Sequence, residues 1–311
     1  MKFRRVMYAL RNILILASII ACNTLAIAGN PRIAVIYPET SGGYKQVFSA
    51  MVSGVEEHGN IDVFSLELPK QPDSGTVNDW LRENRINSVI ALGSTSYAIA
   101  RELPDDIPVT VGALVMSPDG YSGISLAGDP ALFMEHLRTL APEVRRVYII
   151  YSKKDSGWLV KLAEESARKS GIELVAHEVD TTRQGLQQYD KVLEQVSGER
   201  DAIWLPLDTI VPDKLILPKL LKTAWDRKIV VFSNNPLHAK KGVLFALFPD
   251  HKNMGFDLAK LAIQQIDTTL PHQVLPARNL KLAVNKRTAS HLGLTYSKSQ
   301  QRQFDIVFPS E

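Results

Sequence analysis

Short apolar segments alternate with longer amphipathic segments along the chain from residue 31 onward. The apolar segments are rich in β-branched residues, as in Ile33–Tyr37 and Ser88–Leu92, and this composition favours buried strands. The segment Tyr44–His58 carries apolar residues at three- and four-residue steps, which predicts an amphipathic helix. Strands that alternate with helices in this way indicate βαβ units and parallel sheets.

The pattern predicts ten strands, which is more than one ordinary doubly wound sheet holds. We therefore expect an α/β fold with two doubly wound parallel-sheet lobes. The turn-rich segment Ser117–Gly123 has the composition of a crossover, and it predicts where the first lobe ends. The ten predicted strands are Ile33–Tyr37, Ile61–Leu66, Ser88–Leu92, Val109–Gly112, Ile124–Leu126, Val147–Tyr151, Ile172–Val175, Ala202–Leu205, Ile229–Phe232 and Val243–Ala246.

The N-terminal segment has the composition of an export signal. Four cations precede an apolar run over residues 13–21, which is shorter than the roughly 20 residues needed to span a bilayer. A small-x-small cleavage pattern ends at Ala28, so we expect a secretory signal peptide over residues 1–28. A second interpretation stays open, because the four residues ending at Cys22 resemble the lipobox of bacterial lipoproteins. In that case residues 1–21 are removed and Cys22 is acylated.

Composition and charge narrow the class of protein further. The 311 residues are 45% hydrophobic and 22% charged, as in globular proteins, and this length predicts about two domains. The net charge is +3, but the first 28 residues hold four cations and no acid, so the rest carries −1. A near-neutral body does not favour a nucleic-acid partner. The single cysteine excludes an intrachain disulfide and suits an oxidising compartment. We expect a monomer.

The sequence contains no familiar catalytic or cofactor motif. It lacks the dinucleotide, P-loop, zinc-protease and nucleophile-elbow patterns, and its seven histidines are never three or four residues apart. We therefore expect a protein that is not an enzyme and that has no cofactor and no metal site. A Ser-His-Asp set assembled by the fold stays open, because triads do not need residues that are close in sequence.

Polar residues follow three predicted strands, at the carboxyl ends where doubly wound sheets bind ligands. Gly93-Ser94-Thr95-Ser96 opens a predicted helix, whose N-terminus offers free N–H groups and a positive dipole end to an anion. Asp208 is suited to accept from a ligand ammonium, and Ser233-Asn234 forms a polar loop that suits hydrogen bonding. Each group also has a structural interpretation, because Ser, Thr, Asp and Asn are ordinary helix N-caps.

Aromatic residues lie at the same level of the predicted sheets. Tyr37 ends the first strand, Tyr44 begins the following helix, and Trp158 comes shortly after Ser156 beyond the strand that ends at Tyr151. Rings at several strand ends can wall an apolar or aromatic ligand. We therefore predict a ligand site that combines these rings with the polar strand ends.

Three segments near the C-terminus form a pattern that points to a family. They are Gly242–Asp250, Met254–Ala259 and Leu282–Ala289, and Leu292-Gly293-Leu294 follows the last of them. With these segments the chain resembles the ABC transporter substrate-binding family whose best-known members bind tryptophan or tyrosine. The resemblance covers nearly all of residues 31–311. It implies the type 1 periplasmic-binding-protein fold, with two lobes joined by a hinge.

The resemblance also implies how the chain divides between the lobes. It implies that the chain returns to the first lobe near Pro249 and crosses again near Pro276. The expected N-terminal lobe is then residues 29–120 plus 249–276, and the expected C-terminal lobe is residues 121–248 plus 277–311.

The resemblance assigns the expected ligand site residue by residue. Gly93-Ser94-Thr95-Ser96 matches the family's carboxylate-gripping helix start, Asp208 its cleft aspartate, and Ser233-Asn234 the last loop of its site. Two places depart from the family pattern. Ser117-Pro118 stands where transport members usually carry Asp-Pro, and Ser156-Gly157-Trp158 stands where they carry an Asn-Ser pair.

The function implied is an exported, periplasmic protein that captures a small molecule between its lobes and hands it to the permease of an ABC importer. The expected solute is an amino acid or another aromatic or amphiphilic molecule. The alternative is a ligand-sensing module for a membrane signalling protein, because the two departures also fit family members that stand apart from a transporter.

Overall fold

The computed structural model describes residues 29–118, 120–198, 200–266 and 270–309 of the protein. The expected signal peptide and the alternative lipidation residue Cys22 lie outside these ranges. Two sheets are present, and helices cover both faces of each, which confirms the prediction of two doubly wound α/β lobes. Within the described ranges, no helix is both long enough and apolar enough to cross a membrane.

The first lobe is a six-stranded sheet in the order β11-β5-β4-β3-β1-β2, and every neighbouring pair of strands runs parallel. Its strands are β1 (Arg32–Pro38), β2 (Asp62–Leu68), β3 (Ser88–Leu92), β4 (Val109–Gly112), β5 (Ser122–Gly128) and β11 (Val274–Ala277). Its helices are α1 (Gly43–Glu56), α2 (Ser74–Glu83), α3 (Gly93–Ala100) and α9 (His251–Ile266).

The second lobe is a seven-stranded sheet in the order β13-β12-β10-β9-β8-β6-β7. Its neighbouring strands run parallel except for β10 and β12, which are antiparallel. Its strands are β6 (Arg146–Tyr151), β7 (Glu173–Glu178), β8 (Asp201–Leu205), β9 (Val230–Ser233), β10 (Phe245–Pro249), β12 (Leu280–Asn285) and β13 (Ile306–Phe308). Its helices are α4 (Pro130–Leu140), α5 (Lys153–Lys169), α6 (Thr182–Gln195), α7 (Asp213–Asp226), α8 (Pro236–Lys241), α10 (Lys286–His291) and α11 (Lys298–Gln301).

The central strands are apolar at nearly every position because both faces of each sheet are covered. In β1, Ile33 and Val35 pack towards α1 and α9, while Ala34 and Ile36 pack towards α2 and α3. All four side chains have no solvent exposure. Burying an aliphatic side chain of this size stabilises the fold by roughly 1.5–3 kcal/mol. This burial fixes the strand ends, and the strand ends determine where the loops that follow them begin.

Helices α1 and α9 pack against each other with unusually close backbones. A Cβ atom on Gly54 would lie 1.8 Å from the carbonyl oxygen of Lys252, and one on Gly255 would lie 2.0 Å from that of Met51. Only glycine allows this approach. Gly255 belongs to one of the C-terminal segments that carried the family resemblance, and its role is to dock the returning chain on the first lobe.

The strand β5 belongs to the first sheet, whereas the sequence analysis placed it in the second lobe. It pairs in parallel with β4 on one side and β11 on the other. Parallel neighbours usually need a crossover of a dozen or more residues. Only residues 113–121 join β4 to β5, and this short, turn-rich link gave the misleading sequence signal. The first passage between lobes therefore comes after Gly128 rather than at residue 120.

Three segments of the chain pass between the lobes, and they are bonded to one another. The main-chain N–H of Asp129 donates to the carbonyl of Ala277 at 2.8 Å, and that of Asp250 donates to Asn279 at 2.9 Å. Lys281 forms an ion pair with Asp250 at 3.3 Å. These contacts form a connected base from which the two lobes extend, as a hinge requires.

Candidate functional site

Loops that follow strand ends of the two sheets contact each other. Ser117 lies in the loop that follows β4 of the first lobe. Its hydroxyl donates to the carbonyl oxygens of Lys154, at 3.1 Å, and Asp155, at 3.3 Å, in the first turn of α5 in the second lobe. The loops after β4 and β6 are therefore in contact, so the carboxyl ends of these two strands lie on the sides where the lobes meet. We call the region between the strand ends of the two lobes the cleft.

Helix α3 begins directly at the end of β3 and has an open N-terminus. Leu92 is its N-cap residue, and among the described residues no side chain caps the first N–H groups of the helix. The first turn therefore presents unpaired donors and the positive end of the helix dipole. Gly93 has a φ of +82°, and a Cβ there would lie 3.2 Å from the ring of Phe48. The capping interpretation of this segment is not what the structure shows.

The three hydroxyl residues of this segment differ in their surroundings. Ser94 is exposed, Thr95 is half-buried and Ser96 is fully buried. The Oγ of Ser96 has no hydrogen-bond partner among the described residues. Leaving such a group unpaired costs roughly 1–3 kcal/mol. The start of α3 thus combines free main-chain donors with an unsatisfied buried hydroxyl.

The N-terminus of α5, in the second lobe, is already occupied by a carboxylate of the protein. Asp208 Oδ2 accepts hydrogen bonds from the main-chain N–H of Ser152 at 2.8 Å, from the Ser152 hydroxyl at 3.3 Å and from the Ser156 hydroxyl at 2.7 Å. Asp208 Oδ1 accepts one further bond, from the main-chain N–H of Ile210 at 2.9 Å. The Ser152 hydroxyl in turn caps α5 by accepting from Asp155 N–H.

Asp208 therefore does not cap the helix that follows it, whose N-cap is Pro212, but serves as a structural acceptor at the start of α5. Ser156, with 2% of its surface exposed, is bonded to Asp208 and does not point freely into the cleft. Direct contact of either residue with a ligand stays a prediction. The more loosely bonded Oδ1 is the atom of Asp208 that retains acceptor capacity.

The loop after β9 is buried and holds a fixed amide. Ser233 and Asn234 are 1% and 3% exposed. Asn234 Oδ1 accepts from the indole N–H of Trp204 at 2.8 Å, which determines the orientation of the amide. Its Nδ2 has no partner among the described residues. This part of the predicted site therefore supplies a buried hydrogen-bond donor.

Ser233, His238 and Asp213 form a Ser-His-Asp row of the kind the sequence left open. Ser233 Oγ lies 2.8 Å from His238 Nδ1, and His238 Nε2 lies 2.7 Å from Asp213 Oδ2. A nucleophile must reach its substrate, and the Ser233 hydroxyl is buried, so this row is not placed for attack. Within the parts of the chain that the structure describes, no three metal-ligating side chains are grouped as a metal site.

The aromatic residues predicted for the site take different positions. Tyr37 stacks on Phe48 with ring centroids 6.1 Å apart, and Phe48 in turn supports Gly93. Burial, helped by nearby carboxylates, raises the pKa of Tyr37, so its phenol is neutral. Tyr44 is 74% exposed in the first turn of α1, and Trp158 is half-buried on α5. The ring of Phe48 thus lies next to both Tyr37 and Gly93.

A model of the family described as ABC transporter substrate binding protein matches residues 123–303, which is more than half of the chain. The chain belongs to this family. The match includes the C-terminal segments on which the family prediction rested, and that prediction is confirmed.

Relatives and solved structures agree with the family. The tyrosine-binding protein of Clostridioides difficile (strain R20291) is 23% identical over 231 residues, which cover 69% of this chain and 65% of that protein, just under two thirds of its length. The ligand-free, open structure of a substrate-binding protein from Clostridium difficile matches with a TM-score of 0.61 and 18% identity, covering 90% of this chain and all of that one. The ABC domain of Streptococcus pneumonia in complex with L-Trp matches with a TM-score of 0.55, 19% identity and the same coverage. At these identities the two structures show a shared fold.

Two residues that shape the cleft of this substrate-binding protein were not among the predicted site residues. Ser152 anchors Asp208 and caps α5, and Ser117 joins the loop after β4 to α5. A serine directly before a helical segment is a known N-cap signal, so Ser152 was within reach of sequence reasoning. Ser117 was named only as a departure from the family pattern, and its contact with α5 was not foreseen because it joins two lobes and leaves no local pattern.

Proposed function

We propose that this chain is an exported solute-binding protein that captures an amino acid between its two lobes and delivers it to the permease of an ABC importer. The observation that carries the proposal is the open N-terminus of α3 at the cleft, together with the unpaired buried hydroxyl of Ser96. Membership of the substrate-binding family supports the same role.

The carboxylate of the ligand binds at the start of α3. Free N–H groups in the first turn and the hydroxyls of Ser94 and Thr95 supply donors, and the helix dipole favours a negative charge there. The corresponding helix start in the second lobe is filled by Asp208, so the two ends of the cleft are not equivalent for an anion. The ligand is therefore oriented with its carboxylate towards the first lobe.

The opposite, polar end of the ligand binds to the second lobe. Among the described residues, Asp208 Oδ1 accepts one hydrogen bond, and we assign it as the acceptor for a ligand ammonium. Asn234 Nδ2 is a donor without a partner among the described residues, and it suits an oxygen of the ligand. Both groups are fixed by other bonds, which lowers the ordering cost of binding.

The body of the ligand is aromatic or amphiphilic. Tyr37, Tyr44 and Trp158 offer rings at the level of the strand ends, and Tyr44 is exposed enough to move onto a bound molecule. The names of the relatives point the same way, since one is a tyrosine-binding protein and another was solved with L-Trp. Binding shifts the lobes towards a closed form, because only closure lets both ends of the ligand be held at once.

A panel of related ligands tests this proposal. L-Tryptophan and L-tyrosine are compared with tryptamine and tyramine, which lack the carboxylate, and with indole-3-propionate, which lacks the ammonium. Thermal shift and calorimetry should show binding of at least one amino acid and a loss of about tenfold or more for its amine, because the α3 contacts are lost. Equal affinity for the amine and for the amino acid would contradict the proposed binding of the ligand carboxylate at α3.

Export and the partner are separate parts of the proposal. The basic flank, the apolar run and the pattern ending at Ala28 support secretion to the periplasm, with Cys22 as the alternative lipidated residue. Incorporation of labelled lipid that disappears in Cys22→Ala would identify a lipoprotein. Co-purification with a permease supports the importer, whereas co-purification with a signalling protein instead supports the sensor alternative, which uses the same cleft. We further propose that the protein acts as a monomer.

A further inference from the structure

The row Ser233–His238–Asp213 connects three elements of the second lobe beside the cleft. Ser233 ends β9, His238 lies on α8, and Asp213 begins α7. His238 is 4% exposed, whereas the side chain of Asp213 is 55% exposed. None of the sequence signals singled out His238 or Asp213, and the proposed ligand contacts do not use them.

The hydrogen bonds of His238 determine which of its ring nitrogens carries the proton. Asp213 Oδ2 lies 2.7 Å from His238 Nε2, and a carboxylate only accepts, so Nε2 carries a hydrogen and donates it. With one proton on the ring, Nδ1 accepts from the Ser233 hydroxyl at 2.8 Å, while Ser233 Oγ accepts from the main-chain N–H of Asn235 at 3.1 Å. Asp213 thus selects this tautomer by accepting from Nε2.

The row fixes the β9–α8 loop from one side while Trp204 fixes it from the other. Ser233 and Asn235 are held through His238, and Asn234 between them is held by the Trp204 indole. Asn234 main-chain N–H also donates to Leu205, at 3.3 Å. The unpaired Nδ2 of Asn234 is therefore held in one place before any ligand arrives.

We propose that His238 is a positioning residue, which locks the loop so that Asn234 presents a preorganised donor to an oxygen atom of the ligand. The proposal rests on the proposed function, in which Asn234 faces the bound solute. Preorganisation raises affinity because the loop does not have to be ordered on binding.

The test uses variants that keep one half of the imidazole at a time. His238→Asn keeps an acceptor near the position of Nδ1, and His238→Gln keeps a donor near Nε2 but loses the contact with Ser233. His238→Ala removes both. His291→Ala is the control, since it removes another imidazole of the same lobe, whose Nε2 contacts the carbonyl of Trp225.

The first readout needs no ligand. In ¹⁵N spectra of the unliganded protein we expect His238 Nδ1 without a proton. We also expect hydrogen exchange of the Asn235 amide to accelerate about tenfold in His238→Ala and His238→Gln, and much less in His238→Asn or His291→Ala. A protonated Nδ1, or an Asn235 amide unaffected by all three His238 variants, would overturn the proposal even if an amino acid binds.

The second readout uses L-tryptophan and L-tyrosine as probes. We expect His238→Ala and His238→Gln to weaken the binding that is present by about tenfold, with His238→Asn close to wild type. Equal losses in all three variants would show a merely structural role and overturn the proposal. If neither probe binds the wild type, the proposed ligand class is wrong, and the exchange experiment alone decides whether His238 positions the loop.

Discussion

The two lobes differ at the N-terminus of the helix that follows a central strand. In the first lobe, α3 begins at Gly93 with no side chain on its first N–H groups. In the second lobe, α5 begins after Ser152, which caps it, and the carboxylate of Asp208 lies against its first turn. One helix end is open to an anion, and the other already holds one.

This difference makes the two sides of the cleft unequal in their preference for negative charge. A helix N-terminus favours negative charge, and in the second lobe the protein satisfies that preference by itself. Under the proposed function we therefore expect a ligand carboxylate to bind to the first lobe, whereas the second lobe offers acceptors and the buried amide of Asn234. On this proposal, the asymmetry lets two lobes of similar architecture bind the two different ends of one molecule.

Local geometry supports the same contrast. Gly93 adopts a φ of +82°, which a residue with a side chain avoids, and its missing Cβ leaves room for Phe48. Ser152 has an ordinary extended backbone, which places its hydroxyl for capping. The open helix end thus depends on a glycine, and the closed one depends on a serine.

The largest expected effect comes from closing the open end. Ser94→Asp places a carboxylate on the first turn of α3, as Asp208 does for α5, and should lower the affinity for the identified amino acid about 30- to 1,000-fold by like-charge repulsion. Calorimetric titration measures the loss. Ala98→Asp, exposed one turn later on the same helix, is the control and should bind nearly as wild type. Similar losses in both variants would contradict the proposed carboxylate site.

The second prediction concerns the N-terminus of α5, which Asp208 occupies. Asp208→Ala removes the acceptor of four hydrogen bonds and leaves buried donors of Ser152 and Ser156 unpaired. We expect the free energy of unfolding to fall by about 2–4 kcal/mol, measured by urea denaturation. Asp208→Asn keeps the shape and should lose less. Unchanged stability combined with a large loss of ligand affinity would show that the carboxylate acts on the ligand rather than on α5.

The third prediction concerns the glycine that makes α3 possible. Gly93→Ala should cost about 2 kcal/mol of unfolding free energy, from its left-handed backbone and its contact with Phe48. Gly59→Ala is the matched control in the same lobe, because Gly59 has a φ of +67° and nothing within 4 Å of the added Cβ. It should cost about 1 kcal/mol. If the two variants lose the same amount, the Phe48 contact contributes nothing.

The smallest expected effect compares how the lobes respond to mild acid. Burial lowers the pKa of His136 on α4 and, helped by the charge of Lys191, of His177 on β7. The folded second lobe prefers both rings neutral, so the unfolded chain takes up protons first as the pH falls below the ordinary histidine value. The free energy of unfolding should therefore decrease between about pH 7 and pH 5.

This dependence is measured by urea denaturation at each pH. His136→Gln and His177→Gln should each make the free energy of unfolding depend less on pH. Each variant removes one imidazole that takes up a proton when the chain unfolds. A stability that rises on acidification, or variants with the same slope as the wild type, would contradict the assignment. His251, at the start of α9 in the first lobe, has a pKa lowered by burial as well, so hydrogen exchange resolved by lobe is needed to separate the contributions.

The sequence determined the fold class, and it predicted where a candidate site lies. Each of the ten predicted strands overlaps an observed one. The central strands were the easiest to recognise, because strands between covered faces are apolar at nearly every position. The polar strand ends Gly93–Ser96, Asp208 and Ser233-Asn234 were visible because they interrupt that pattern. Glycine, serine and aspartate at a strand end indicate that a helix begins there. In doubly wound sheets these helix starts lie at the ligand cleft.

Only the tertiary structure decided what those residues do. The sequence could not show that Asp208 fills α5 while α3 stays open, because Asp208 is more than 50 residues from the serines it binds. It placed β5 in the wrong lobe, because strand pairing depends on distant partners such as β11, 146 residues or more along the chain. His238 gave no signal at all, since its role comes from Asp213 and Ser233 meeting around one ring. Local patterns encode burial and helix starts, whereas charge compensation and hydrogen-bond partners are set by contacts that form only when the chain is folded.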